Sequence, residues 1–230
     1  MFIKTLSIAT AAVIVAGVGL KTAEAKDLNG ASSYVGVSYV STDIDDIGYN
    51  NSRYDRDTGR TQNEVGFKKA TGGLLHLGHD LGYVTAEAEF GYRTTKVDKI
   101  LKGSDARGTV NIGSAMLNLG LEYSVGADDL GAELGGFTIT PFVSAGGGVL
   151  AGDFSLKYDD VNLDSTNRTV LDDEMFAAPA LQAKVGLAIG LTHGVEAIAS
   201  YSEMKVFVFN NRNADDLHLK TVSGGLRFNF

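Results

Sequence analysis

The sequence predicts an all-β protein, a single eight-stranded, antiparallel, up-and-down barrel that crosses a membrane with its apolar face turned outward. Three observations predict it. Apolar residues alternate with polar or small ones at period two in eight separate stretches, and after Lys26 no stretch sustains helical i, i+3, i+4, i+7 spacing for long. Long polar connections follow the odd-numbered stretches and shorter ones the even-numbered stretches, as a meander with all its long loops at one end requires. The less apolar face carries Gly, Ser and charges of both signs, whereas aromatic residues fall near stretch ends on the apolar face.

Bulk properties narrow the function classes. At 230 residues the chain suits one sizeable domain. Its net charge of −8, with no basic stripe interleaved with aromatics, argues against nucleic acid as a partner. The absence of Cys removes disulfides and thiolate metal sites. Residues 1–25, "MFIKTLSIATAAVIVAGVGLKTAEA", have the basic start, apolar middle and A-x-A ending of a secretory signal peptide. The apolar run from Leu6 to Leu20 falls short of the ~20 residues of a membrane helix. The expectation is therefore a leader over 1–25 and a barrel domain over 26–230.

The first strand is read at 34–41, with Val35, Val37 and Tyr39 opposing Tyr34, Gly36 and Ser38. The second, at 71–79, is the least regular, setting Leu75 and Leu77 against Leu74 and His76 before the turn Asp80-Leu81-Gly82. In the third, "YVTAEAEFGYR", Ala86, Ala88, Phe90 and Tyr92 oppose Glu87, Glu89, Gly91 and Arg93. The fourth, "VNIGSAMLNLGLEYS", sets Leu117, Leu119, Leu121 and Tyr123 against Met116, Asn118, Gly120 and Glu122. The fifth is "PFVSAGGGVL". The sixth, "ALQAKVGLAIG", opposes Leu181, Val185 and Leu187 to Gln182, Lys184 and Gly186. Thr192-His193-Gly194 turns the chain into "VEAIASYS", where Ala197, Ala199 and Tyr201 face away from Glu196 and Ser200. The eighth, "LKTVSGGLRFNF", sets Val222, Leu226, Phe228 and Phe230 against Ser223, Arg227 and Asn229. An even strand number lets the last strand close on the first and removes both sheet edges.

Alternation alone also fits a soluble ligand-binding barrel with its apolar face inside. The charges decide for the membrane. Glu87, Glu89, Glu122 and Glu196 share a face with Lys184, Arg227 and Arg93. Such groups can pair inside a closed barrel, whereas Lys or Arg facing lipid at mid-depth costs about 2–4 kcal/mol. Small Gly and Ser residues on the same face suit the narrow interior of eight strands.

The ending "SGGLRFNF" resembles the final strand of bacterial outer-membrane barrels, whose aromatic-x-Phe terminus is a signal for the barrel assembly machinery. "YVTAEAEFGYR" and "AMLNLGLEYS…ITPFVSAGGGVLAG" resemble small OmpA/OmpX/Opa-type barrels, and are most similar to porin-like surface antigens of alphaproteobacteria. The likeness covers residues 32–230, with Phe142 where that family's strand carries Tyr and a third Gly in "GGG". It implies an outer-membrane location, an assembly signal on Leu226, Phe228 and Phe230, and partners in outer-membrane lipid, lipopolysaccharide and the assembly machinery. It also implies that Glu89, which precedes "FGY", belongs to an interior salt-bridge network. Folds of this kind host anchors, adhesins and enzymes alike.

The candidate functional residues are the interior charges Glu87, Glu89, Glu122, Lys184, Glu196 and Arg227, with Lys184 and Arg227 as partners for Glu89. Such a network fills the lumen and fixes register, or else gates ions. His76 and His79 are three apart on a strand and point to opposite faces, so they cannot share a metal ion unless the strand bulges. His193 and His218 have no Ser or Asp partner at a readable spacing. We therefore expect no catalytic residue, no cofactor and no metal, and no enzyme. The loops are chemically uneven: Asp43, Asp45, Asp46, Asp159, Asp160, Asp172, Asp173, Glu174, Asp215 and Asp216 are acidic, whereas Lys96, Lys99, Lys102 and Arg107 make the second basic. The functional expectation is a non-enzymatic surface or structural protein, an antigen or adhesin touching host surface or matrix. The alternative is a narrow porin-like channel, and a lipid-A-modifying enzyme stands behind both.

Overall fold

The structure, a computed structural model, describes residues 32–45, 47–50, 62–100, 106–126, 138–158, 168–192, 194–207 and 216–230. The leader expected over 1–25 and the domain start at 26 lie outside the described residues. Eight strands form the wall: β1 (Ser32–Ile44), β2 (Ala70–Asp80), β3 (Val84–Ile100), β4 (Ala106–Glu122), β5 (Thr138–Tyr158), β6 (Arg168–Thr192), β7 (Val195–Val206) and β8 (Leu217–Asn229). Each pairs antiparallel with the next. The wall closes where β8 meets β1, in a register running from Tyr34↔Asn229 to Ile44↔Leu219. The fold is thus all-β, a closed eight-stranded antiparallel barrel.

The residues at the chain's end are held by this closure. Ser33 N–H donates to the Phe230 carbonyl at 3.0 Å, and Phe230 N–H donates to the Ser33 carbonyl at 2.9 Å. Two tight turns at the same end of the barrel use glycine where the backbone enters the left-handed region, Gly82 at φ 104° and Gly194 at φ 76°. Asp80 stabilises the first by accepting the Gly82 N–H on Oδ1 at 2.7 Å.

The strands are longer than the alternation suggested. β3 reaches Ile100 and β4 begins at Ala106, so both run well past the third and fourth stretches read from the sequence. Likewise β5 runs to Tyr158 and β6 starts at Arg168, beyond the fifth stretch "PFVSAGGGVL" and ahead of the sixth, "ALQAKVGLAIG". Beyond the apolar belt the outward positions become polar, as at Thr94 and Lys96, while Thr95 and Val97 stay buried inside. The period of two persists there, with polar side chains on its outer face. Short pieces extend the sheet further: Ile47–Asn50 pairs with Gln62–Phe67, which continues onto the end of β3, and Val125–Gly126 pairs with the start of β5.

Facing follows the predicted alternation. Leu117, Leu119, Leu121, Val143, Val149, Leu181, Val185 and Val222 are exposed on the outer wall, and Tyr39, Tyr92, Tyr123 and Tyr201 lie on the same face. A single soluble chain rarely exposes so large an apolar area. The irregular second strand resolves with Leu74 and His76 buried and Leu77 and His79 outside. One expectation needs correcting, since the inward face is not polar throughout. In the half of the barrel nearer the long connections it carries a packed apolar core of Ile44, Val97, Val110, Ile112, Met116, Leu150, Met204, Val206 and Leu219. Eight strands leave only enough lumen for side chains, and here aliphatic ones fill it.

Candidate functional site

All six charged residues singled out in the sequence point into the lumen, in the half nearer the tight turns. Alternation on β3 aims Glu87, Glu89 and Arg93 inward at i, i+2 and i+6. β6 supplies Gln182 and Lys184, β4 Asn118 and Glu122, β7 Glu196, and β8 Arg227. Glu89 is fully buried, and Lys184, Glu122, Glu196 and Arg227 nearly so.

The charges sort into two clusters. In the first, Lys184 Nζ donates to Glu87 Oε1 at 2.7 Å and pairs with Glu89 Oε2. Gln182 Nε2 donates to Glu89 Oε1 at 3.3 Å, and Tyr34 Oη–H donates to Glu87 Oε2 at 3.0 Å. In the second, Arg227 Nη1 donates to Glu122 Oε2 at 3.0 Å, and its Nε–H pairs with Glu196. The Arg227 guanidinium also lies 4.8 Å from the Tyr34 ring centre, so Tyr34 touches both clusters. Among the described residues Arg93 has no carboxylate hydrogen bond, and it donates from Nη1 to Ser114 Oγ at 3.1 Å.

One pairing differs from the sequence reading. Glu89 takes Lys184 as expected of it, but Arg227 engages Glu122 and Glu196 instead. Register explains this: Glu196 stands directly opposite Arg227 on the neighbouring strand, so the guanidinium is satisfied by an adjacent partner. Desolvating such charges costs several kcal/mol per ion, which only tight, hydrogen-bonded pairing repays. Between the clusters lies a cavity of about 30 Å³, lined by Tyr34, His76, Glu87, Glu122, Lys184 and Arg227 among others. That is room for roughly one water.

Sequence reasoning missed His76 and Tyr34 as members of the site. His76 had been weighed only against His79, which is exposed on the opposite face as its spacing requires. The signal that would have found it is cross-strand, since His76 pairs in register with Glu89. Tyr34 sits on the inward face of β1, which it shares with Gly36 and Ser38. Leu226 and Phe228, which the resemblance suggests as part of an assembly signal, are exposed on the outer face, and Phe230 follows them at intermediate exposure.

The loop charges are only partly described. Asp43 lies 3.7 Å from Lys69, Asp45 3.2 Å from Lys220, and Asp216 2.8 Å from Lys205, all exposed pairs on the outer rim. Each is worth little alone. Asp46, Lys102, Asp159, Asp160, His193 and Asp215 lie outside the described residues, as do the side chains of Lys99, Arg107, Asp172, Asp173 and Glu174.

No protein-family model matches the sequence, and no curated protein does. Solved structures do match. The outer membrane protein AlkL, determined in lipid bilayers, aligns with a TM-score of 0.50 at 15% identity over 92% of this chain and 96% of its own. Neisserial surface protein A aligns at 0.49 and 15% identity over 87% of this chain and 99% of its own. OprG of Pseudomonas aeruginosa aligns at 0.47 and 12% identity over 88% and 97%. Likeness at such identity speaks to fold, and the fold is that of the small eight-stranded outer-membrane barrels.

Proposed function

We propose that this chain is a non-enzymatic barrel of a Gram-negative outer membrane, a closed scaffold that displays its longer connections at the cell surface as an antigen or adhesin. One observation carries the reading: the lumen is filled, with aliphatic side chains in the half nearer the long connections and paired charges in the other. An ion crossing the aliphatic half would shed its water against groups that offer no replacement, a cost that closes a pore. The outer belt of Leu, Val and Tyr supplies the lipid contact that such a scaffold needs. Export through residues 1–25, insertion through the terminal Phe230 signal and contact with lipopolysaccharide belong to the same reading.

The test is a planar bilayer recording of the refolded protein beside a surface assay in intact cells. The scaffold reading expects no stepwise current. It also expects epitope tags inserted within 51–61 or 159–167 to bind antibody from outside, and deletion of those segments to weaken attachment to host cells or matrix. Stepwise conductance would favour the narrow channel instead, and attachment unchanged by the deletions would remove the adhesin role. A mass change in lipid A on overexpression would replace the reading with an enzyme.

A further inference from the structure

Three donor atoms converge in the polar half of the lumen. His76 Nδ1 and one carboxylate oxygen each from Glu87 and Glu89 all lie within 4.8 Å of one another. Topology creates the group, because His76 stands opposite Glu89 in the β2–β3 register and Glu87 is the next inward position on β3. His76 is 3% exposed, and its Nδ1 makes no hydrogen bond among the described residues. That atom points at Glu87 Oε2 at 3.5 Å and Glu89 Oε2 at 3.7 Å. In the tautomer that carries its proton on Nε2, toward Ser38 Oγ, the Nδ1 lone pair and the two carboxylate oxygens form a three-donor set for one cation. The other ring nitrogen, Nε2, is held by Ser38 Oγ at 3.1 Å, the kind of outer contact that orients a metal-binding imidazole.

We propose that His76, Glu87 and Glu89 form a site for one divalent transition-metal ion of the Zn²⁺ class, in competition with the ammonium of Lys184. The donor set suits it, one imidazole and two carboxylates, leaving a fourth position open. The nitrogen–oxygen spacings of 3.5 and 3.7 Å are close to the separation of about 3.3–3.6 Å that tetrahedral bonds of 2.0–2.2 Å impose on neighbouring donors. Lys184 is the cation that holds the two carboxylates in this structure. It also lines the cavity of about 30 Å³ that Glu122 and Arg227 border. An incoming ion displaces the Lys184 ammonium from the two carboxylates into that cavity. The site is independent of whether the loops adhere to anything.

The test uses the full barrel, refolded in detergent, stripped with chelator and titrated with ZnCl₂ by calorimetry. One ion per barrel is expected, with affinity falling at least tenfold in His76→Ala or Glu89→Gln and unchanged in the exposed control His79→Ala. Lys184→Met should bind at least tenfold more tightly, because the competing ammonium is gone. A heat-dependent shift in gel mobility shows that each variant is folded. In the wild type, the His76 ring resonances should shift on adding Zn²⁺, a readout that needs no variant. Absence of binding in both wild type and Lys184→Met overturns the site. So does binding that persists in His76→Ala, weaker binding in Lys184→Met, or His76 resonances that ignore the ion.

Discussion

Lys184 Nζ lies 2.7 Å from Glu87 Oε1, although 97 residues separate them in the chain. Neither neighbouring strands nor a turn brings them together. β3 and β6 meet only across the lumen, so the pair exists because the barrel is closed, and it reports on closure directly.

Removing one partner of the other buried cluster should be costly. Arg227→Met strands Glu122 and Glu196 without their cation, and a broken buried pair typically costs about 3–5 kcal/mol. Adding Glu122→Gln and Glu196→Gln to Arg227→Met should recover part of the loss, as measured by denaturant titration of the barrel in lipid vesicles. Recovery of nothing would mean that packing, not charge, governs this cluster.

Two adjacent glycines near the closing seam should respond oppositely. A Cβ on Gly225 would sit 2.0 Å from the Val37 carbonyl oxygen, inside the β1–β8 pairing. One on Gly224 would lie 4.0 Å from the Ile198 carbonyl oxygen, in ordinary contact. Gly225→Ala should cost about 1–3 kcal/mol of stability through overpacking. Gly224→Ala should stay within about 0.5 kcal/mol of wild type. The fraction that shows heat-dependent gel migration measures both.

The depth of an outward charge should set its cost. Leu117 is 72% exposed in the middle of the apolar belt, whereas Thr94 is outward but lies near the polar rim. Leu117→Arg should destabilise the bilayer-folded barrel by about 2–4 kcal/mol and Thr94→Arg by about 0–1 kcal/mol. Equal effects would contradict the assigned belt.

Wetting the aliphatic half of the lumen should open it. Val110, Leu150 and Leu219 are each at most 1% exposed within one core. Replacing all three by Ser should give stepwise current in planar bilayers where the parent is silent. A triple variant that migrates as a folded barrel yet stays silent would show that the charge clusters, not the aliphatic plug, close the path.

The period of two made strand identity and facing readable, because side-chain direction on a strand is a local property. The turn at Gly82 was readable for the same reason. What escaped was set by register between strands distant in the chain. His76 joins the site only because β2 pairs with β3 so that it meets Glu89. Arg227 chooses Glu196 over Glu89 because Glu196 is its cross-strand neighbour. The aliphatic lumen was hidden differently, since Val206 and Leu217 keep the inward parity but sit in segments whose outward residues are polar. Averaged over both faces, those segments read as loop.

Whether the apolar wall lies in hydrocarbon can be measured with single-site spin labels, because the chain contains no Cys and each introduced thiol is unique. Labels at Leu117 and Val185 in a reconstituted bilayer should relax strongly with dissolved oxygen and hardly at all with a water-soluble nickel chelate. Free access of the chelate to both positions, with little effect of oxygen, would place that wall in water and contradict the membrane-spanning barrel.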